Sequence, residues 1–329
     1  MLIRFFKSAL PTRFLALLLM ALAMRIPVLL QNSPKPSANY VPFYLGIAFP
    51  SSLSFLTQWI VALFLVLFTA MIINFLSVRY GFTEKNSTLA AFFFILGSSV
   101  FPVTQPLNIY VLVTFFTALF FLLTFRVQNV ENEIRAAFDM GLGLGIIVLF
   151  YPEALLLIVF IWLALISYRV SHWRPYVVSL LGVVTPFGLL FSGFFLFGSP
   201  KGLLPAIYSR LLPVFSLVHF PSLFNLITGG ILGIMVAFSV MKIITFLRSM
   251  NISIMQHMMT TLWGLLMTFV ILTLLEAPAE SAVLICVPAS FILANYYGSL
   301  KNLKWANIFL IIFLVMVLAN NYLFLFHAA

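Results

Sequence analysis

Three observations predict an all-α polytopic bundle of about eleven membrane-spanning helices. Apolar runs of spanning length recur along the whole chain, charged residues make up only 7% of it, and lysines and arginines collect in alternate connecting segments. A helix needs about 20 mostly apolar residues to cross the hydrocarbon core. Hydrophobic residues are 64% of the 329, more than a soluble surface can cover with polar side chains, so the excess is predicted to face lipid.

The predicted spans are 10–30, 54–78, 87–104, 108–126, 136–152, 153–169, 176–198, 223–247, 258–275, 281–298 and 306–326. Glycine and proline inside several of them are ordinary for membrane helices. The third to sixth are short or closely abutted, so the pairs 87–126 and 136–169 read either as tight hairpins or as re-entrant units. Arg4, Lys7 and Arg13 precede the first run, which ends in Gln31-Asn32-Ser33-Pro34 rather than at a small-residue cleavage site. A retained first span is therefore expected. One membrane domain, 1–329, is expected to account for the chain.

The charge pattern orients the bundle. Short cytoplasmic loops carry the Lys/Arg excess in membrane proteins. With the N-terminus inside and the C-terminus outside, thirteen of the 17 Lys and Arg fall in cytoplasmic segments, against Lys35, Lys201 and Arg210 outside and Arg25 within the first span. An error of one span midway would scramble that alternation. The net charge of +10 is thus explained by topology, and a nucleic-acid partner is not required. Two outer segments are longer than turns: the Pro-rich stretch 31–53, and 199–222, whose four prolines and spaced polar residues predict a helix lying along the interface.

Charges in or near hydrocarbon are costly, so each is a candidate for function. Arg25 reads either as a side chain snorkelling to the outer headgroups or as a guanidinium holding a phosphate or carboxylate. Glu84, Glu131, Glu133 and Asp139 fall on the cytoplasmic side beside basic residues, and Asp139, four residues after Arg135, is expected to pair with it. Glu153, Glu276 and Glu280 fall outside, where they read as loop acids or as the carboxylates of a site. His172, His219, His257 and His327 lie in different loops without metal-ligand spacing, and Cys286 is alone, so no metal site is expected. The methionines of 250–259 read as packing residues rather than soft-metal ligands. Gly141, Gly143 and Gly145, and again Gly229 and Gly233, predict close helix contacts through small residues.

Some landmarks resemble the polyprenyl-phosphate-sugar-dependent glycosyltransferases of the multi-spanning GT-C type. These are Ala23-Met24-Arg25-Ile26-Pro27 followed by the long loop 31–53, the Gly-rich entry from Gly141 to Tyr151-Pro152-Glu153, and the late Pro278–Pro288 stretch. The resemblance is one of topology over 10–320. It implies an outer-facing site for a lipid-linked sugar, with Arg25, Asn39, Tyr40 and Arg210 binding substrate. Such enzymes carry an acid in the first outer loop, whereas 31–53 contains no Asp or Glu. The resemblance then implies either that Glu153, Glu276 or Glu280 supplies the catalytic carboxylate or that the scaffold has lost activity. The Phe-rich, acid-poor chain also resembles an uncharacterised multi-spanning membrane family of Bacteroidota.

Three functions compete. The first is an envelope protein of the bacterial inner membrane acting on lipid-linked sugars. The second is a non-catalytic membrane subunit packed on protein partners, and the third a transporter or flippase. The absence of an internal repeat and of paired broken helices weighs against the third. The lipid bilayer is the partner common to all three, and no residue pattern identifies a cofactor.

Overall fold

The computed structural model describes residues 2–7, 12–30, 54–102, 107–129, 132–197, 223–274, 279–300 and 303–328. Among them there is no strand. A short helix, α1 (Leu2–Lys7), precedes eleven helices at the eleven predicted places: α2 (Thr12–Leu30), α3 (Phe55–Arg79), α4 (Leu89–Ser98), α5 (Ile109–Arg126), α6 (Glu133–Phe150), α7 (Leu157–Ser167), α8 (Trp173–Phe197), α9 (Leu223–Phe246), α10 (Ile252–Leu274), α11 (Cys286–Ser299) and α12 (Leu303–Ala328). Two 3-10 turns, Pro152–Leu156 and Ala279–Ile285, lead into α7 and α11. Among the described residues eight segments are long and apolar enough to cross a membrane: α2, α3, α5, α8, α9, α10, α11 with its leading turn, and α12. The chain is an all-α polytopic bundle.

Helix starts follow local chemistry. Ser54, Asn108 and Asn132 each accept a first-turn N–H at the head of α3, α5 and α6, as short polar caps do. Helix ends reuse one motif. α3 closes with Gly81 at φ 76° and Phe82 N–H bonded to the Ser77 carbonyl. α7 closes the same way, with Arg169 at φ 63° and Val170 N–H bonded to the Leu165 carbonyl. Both are left-handed caps that satisfy terminal carbonyls.

Hydrogen bonds between distant segments fall into two sets that match the predicted alternation of sides. On one face, Ile3 N–H donates to Asn307 Oδ1, Thr88 N–H to the Phe6 carbonyl, Asn295 Nδ2 to the Phe82 carbonyl and Gln128 Nε2 to Gln256 Oε1. These join segments that the charge pattern assigns to the cytoplasm. At the other end Trp59 Nε1 donates to the Arg25 carbonyl, while Asn320 Nδ2 donates to Asn225 Oδ1 and the Val100 carbonyl inside the bundle.

At the centre lie α4 and α11. All ten residues of α4 are buried, and α11 is buried from Cys286 to Ala294. Ten residues span about 15 Å, roughly half the hydrocarbon thickness, so α4 stops inside the bundle. The carbonyls that follow it need partners there, since water does not reach them. Asn321 Nδ2 bonds the Ser99 carbonyl at 3.0 Å and Asn320 Nδ2 the Val100 carbonyl at 3.0 Å. Phe82, Phe121, Phe125 and Phe291 fill the core beside the paired helices, their rings tilted or edge-on at centroid distances such as 5.6 Å for Phe125 and Phe291. The buried His257 ring sits among them with Nδ1 2.8 Å from the Tyr168 hydroxyl.

The glycine series meets its expectation in part. A Cβ on Gly141 would overlap the Ser179 carbonyl, and one on Gly182 would lie 2.5 Å from the Phe138 carbonyl, so α6 and α8 touch through backbone. Gly145 meets the Val183 carbonyl in the same seam. Gly233, in contrast, faces open space, and Gly229 makes room for the Phe101 ring rather than for a helix. A second expectation is corrected. Among the described residues the ion pair is Lys7 Nζ to Glu84 Oε1 at 2.7 Å, not Arg135 to Asp139. With the base N-terminal to the acid the helical pair is the weaker order, and near a surface its gain is small. Met258 is buried while Met259 is exposed, which fits packing.

Candidate functional site: a cationic groove

A groove of about 1060 Å³ lies between α2, α3 and the start of α4. Ligand pockets run roughly 300–1,000 Å³, so the space suits an extended ligand. Its long wall is apolar, with Leu17, Leu18, Leu67, Met71, Phe75 and Ile95. Leu18, Met71 and Phe75 are themselves exposed, so the groove opens sideways at the bundle's outer surface, where lipid lies. Its polar end is built from Arg13, Arg79, Lys85, Asn86, Ser87 and Thr88. None of the described lining residues is acidic.

Local structure explains that end. The left-handed Gly81 stops α3 just after Arg79 and turns the chain through 80–88 toward α4. Arg79 lies against the rings of Phe75 and Tyr80, 5.6 and 5.8 Å from their centroids. Arg13, in the first turn of α2, is enclosed by close neighbours and stands 5.6 Å from the Phe5 ring centroid. Glu84, the acid nearest in sequence, is taken up by Lys7. Thr88 heads α4 without a side-chain capping bond, because its hydroxyl donates to the Phe6 carbonyl at 3.2 Å. A helix N-terminus favours an anion, and here it adds to three cations. Deeper in, Asn74 Oδ1 is a buried acceptor without a hydrogen bond among the described residues. Such an atom calls for a donor from outside the protein.

The residues singled out from sequence lie elsewhere. Arg25 is buried in α2, 1% exposed, so it does not snorkel to headgroups. Glu153 sits half-buried in the first 3-10 turn, and the second 3-10 turn carries position 280. These turns meet: Tyr151 and Ser281 line one small cavity, and the Tyr151 ring packs edge-on against Tyr110 at 5.6 Å. Asn39, Tyr40, Arg210 and Glu276, the side chain of Glu280, and the segments 31–53 and 199–222 lie outside the described residues. Among the described residues no three His, Cys, Asp or Glu side chains are grouped to hold a metal ion. Sequence reasoning missed the groove because Arg13, Arg79 and Lys85 were already explained as inside-loop cations. The one available signal was the polar run Thr83 to Thr88 between two apolar segments.

Fold and groove together define an integral helical membrane protein with a cation-lined cleft open to lipid. The chain belongs to DUF6427, a family of unknown function, which matches residues 40–328 and so includes Arg79 and Lys85. No curated protein and no solved structure matches it.

Proposed function

We propose that this chain is a lipid-handling protein of the bacterial inner membrane that seats an anionic lipid in the groove. The tail lies along α2 and α3, and the head meets Arg79 and Lys85. One observation carries the reading: an apolar groove open to lipid ends in three cations with no lining carboxylate. Arg79 and Lys85 are both exposed there, so their charges are open to a ligand. An anionic head meets them, with arginine forming paired bonds to phosphate oxygens. The test is lipid retention in detergent-purified protein, read by native mass spectrometry. Arg79→Ala with Lys85→Ala, both exposed positions, is expected to lower retained anionic lipid by roughly tenfold at unchanged thermal stability. Equal retention would overturn the reading.

A second reading, transfer of a lipid-linked sugar at the opposite face, draws support from the meeting of the turns that bear Glu153 and Glu280. There a carboxylate beside the Tyr151 and Ser281 hydroxyls could serve as a base. Glu153→Gln and Glu280→Gln should each abolish glycolipid formation in reconstituted vesicles while leaving lipid retention intact. Unimpaired glycolipid formation in both would dismiss it.

A further inference from the structure

We infer that the groove selects a lipid ending in a phosphate monoester or diphosphate, in preference to a singly charged phosphodiester or a zwitterionic head. This rests on the groove being a lipid site and specifies which head it takes. The polar end presents Arg13 from α2, Arg79 from α3 and Lys85 from the turn, with no lining acid. Hydroxyl and amide groups of Asn86, Ser87 and Thr88 flank them. The neighbouring carboxylate, Glu84, is held by Lys7, whose Nζ also donates to the Gly298 carbonyl at 3.0 Å, so the pair is anchored to the end of α11.

The two exposed cations, Arg79 and Lys85, are already more than one phosphodiester charge can balance. A zwitterionic head would bring a further cation among them, and like charges at close range are costly. A terminal phosphate carries about 1.5 to 2 negative charges near neutral pH and has three strong acceptor oxygens. It can therefore engage the Arg79 guanidinium fork and the Lys85 ammonium at once. The start of α4 adds a favourable dipole at the same end.

The charge of such a head depends on pH in a way that the protein's lining does not. A phosphate monoester takes its second charge near pH 6. The charged groups facing the site are Arg13, Arg79 and Lys85, with the Lys7–Glu84 pair on the adjoining turn. Arginine and lysine keep their charge from pH 5 to 8. No histidine is among the described residues that line the groove. His257 lies behind the Tyr80 ring, 4.6 Å between centroids. Affinity for a terminal phosphate should therefore rise with pH across that window, following the ligand, while affinity for a phosphodiester stays flat.

The experiment uses the full chain reconstituted in phosphatidylcholine vesicles, with spin-labelled phosphatidic acid, phosphatidylglycerol or phosphatidylcholine as the probe. The motionally restricted fraction gives relative association constants. The expected result is a preference for phosphatidic acid over phosphatidylglycerol of roughly tenfold at pH 8. It should shrink toward pH 5 and be lost in Arg79→Gln with Lys85→Gln. Equal binding of the two anionic lipids at both pH values, still reduced in the double variant, would overturn the head-group choice and leave the lipid groove standing. Equal binding of all three, unchanged in the variant, would overturn both.

Discussion

Two seams in this bundle are built from the same kind of helix and differ in every consequence. Between α6 and α8, Gly141, Gly145 and Gly182 bring backbone against backbone and leave no space for a side chain. Between α2 and α3, the facing residues are Leu17, Leu18, Leu67 and Met71, and Arg13 and Arg79 stand at one end. Bulky side chains hold those helices apart, and the gap is the groove. Lipid tails are as apolar as leucine, so apolar character alone does not pull membrane helices together; close packing does. The contrast shows that in such a protein the small residues mark where helices join, and large ones with a few charges mark where something else can enter.

Four substitutions break or sharpen that comparison. The largest effect is expected at the closed seam. Gly141→Leu must displace the Ser179 carbonyl, a backbone group that cannot turn aside, at a cost of about 3 kcal/mol. Leu18→Trp, which adds bulk at an exposed position lining the groove, should leave stability nearly unchanged and reduce retained lipid. Unfolding of the two variants in one detergent tests the pair. Equal destabilisation would mean that the groove is a packed seam after all.

A middle effect is expected at the end of α4. Asn320→Leu removes the amide that serves both the Val100 carbonyl and Asn225 Oδ1. Buried acceptors left without a donor cost about 2 kcal/mol in all. Hydrogen exchange should speed at residues 98–101 in this variant and stay unchanged at the α6–α8 seam. Exchange that is unaltered at 98–101 would show that water already reaches those carbonyls.

The smallest effect comes from the paired helix ends. Gly81 and Arg169 occupy the same left-handed position of the same motif, yet only glycine enters that region without steric cost. Arg169→Gly should therefore stabilise the protein by about 1 kcal/mol. A loss of stability instead would show that the exposed Arg169 side chain makes a contact worth more than its backbone strain.

Much of the fold was legible because its signals are local. The span places follow from runs of apolar residues, the caps from Ser54, Asn108 and Asn132, and the closest seam from Gly141 and Gly145. The alternation of sides follows from lysine and arginine counts, and the two sets of long-range hydrogen bonds agree with it. What was not legible depends on partners far away in the chain. Phe6 and Thr88 meet at a separation of 82 residues, and Asn320 meets Val100 at 220. Gly229 and Gly233 carry the same spacing as a packing motif, but among the described residues nothing lies within 4 Å of where a Cβ on Gly233 would stand. A pattern on one helix does not say whether another helix comes to it.

The sequence by itself determined that this chain lives in a membrane as a helical bundle, since hydropathy and backbone hydrogen bonding leave a chain so apolar few alternatives. It also determined which loops share a side. Only the tertiary structure decided that α4 ends in mid-bundle under the amides of α12, and that Arg25 is enclosed rather than snorkelling. It alone decided that Arg13, Arg79 and Lys85, each an ordinary loop cation in sequence, converge on one apolar groove. The reason is physical: burial, close approach and the sum of charges at a point depend on distances between segments, and those distances are set by how the helices pack.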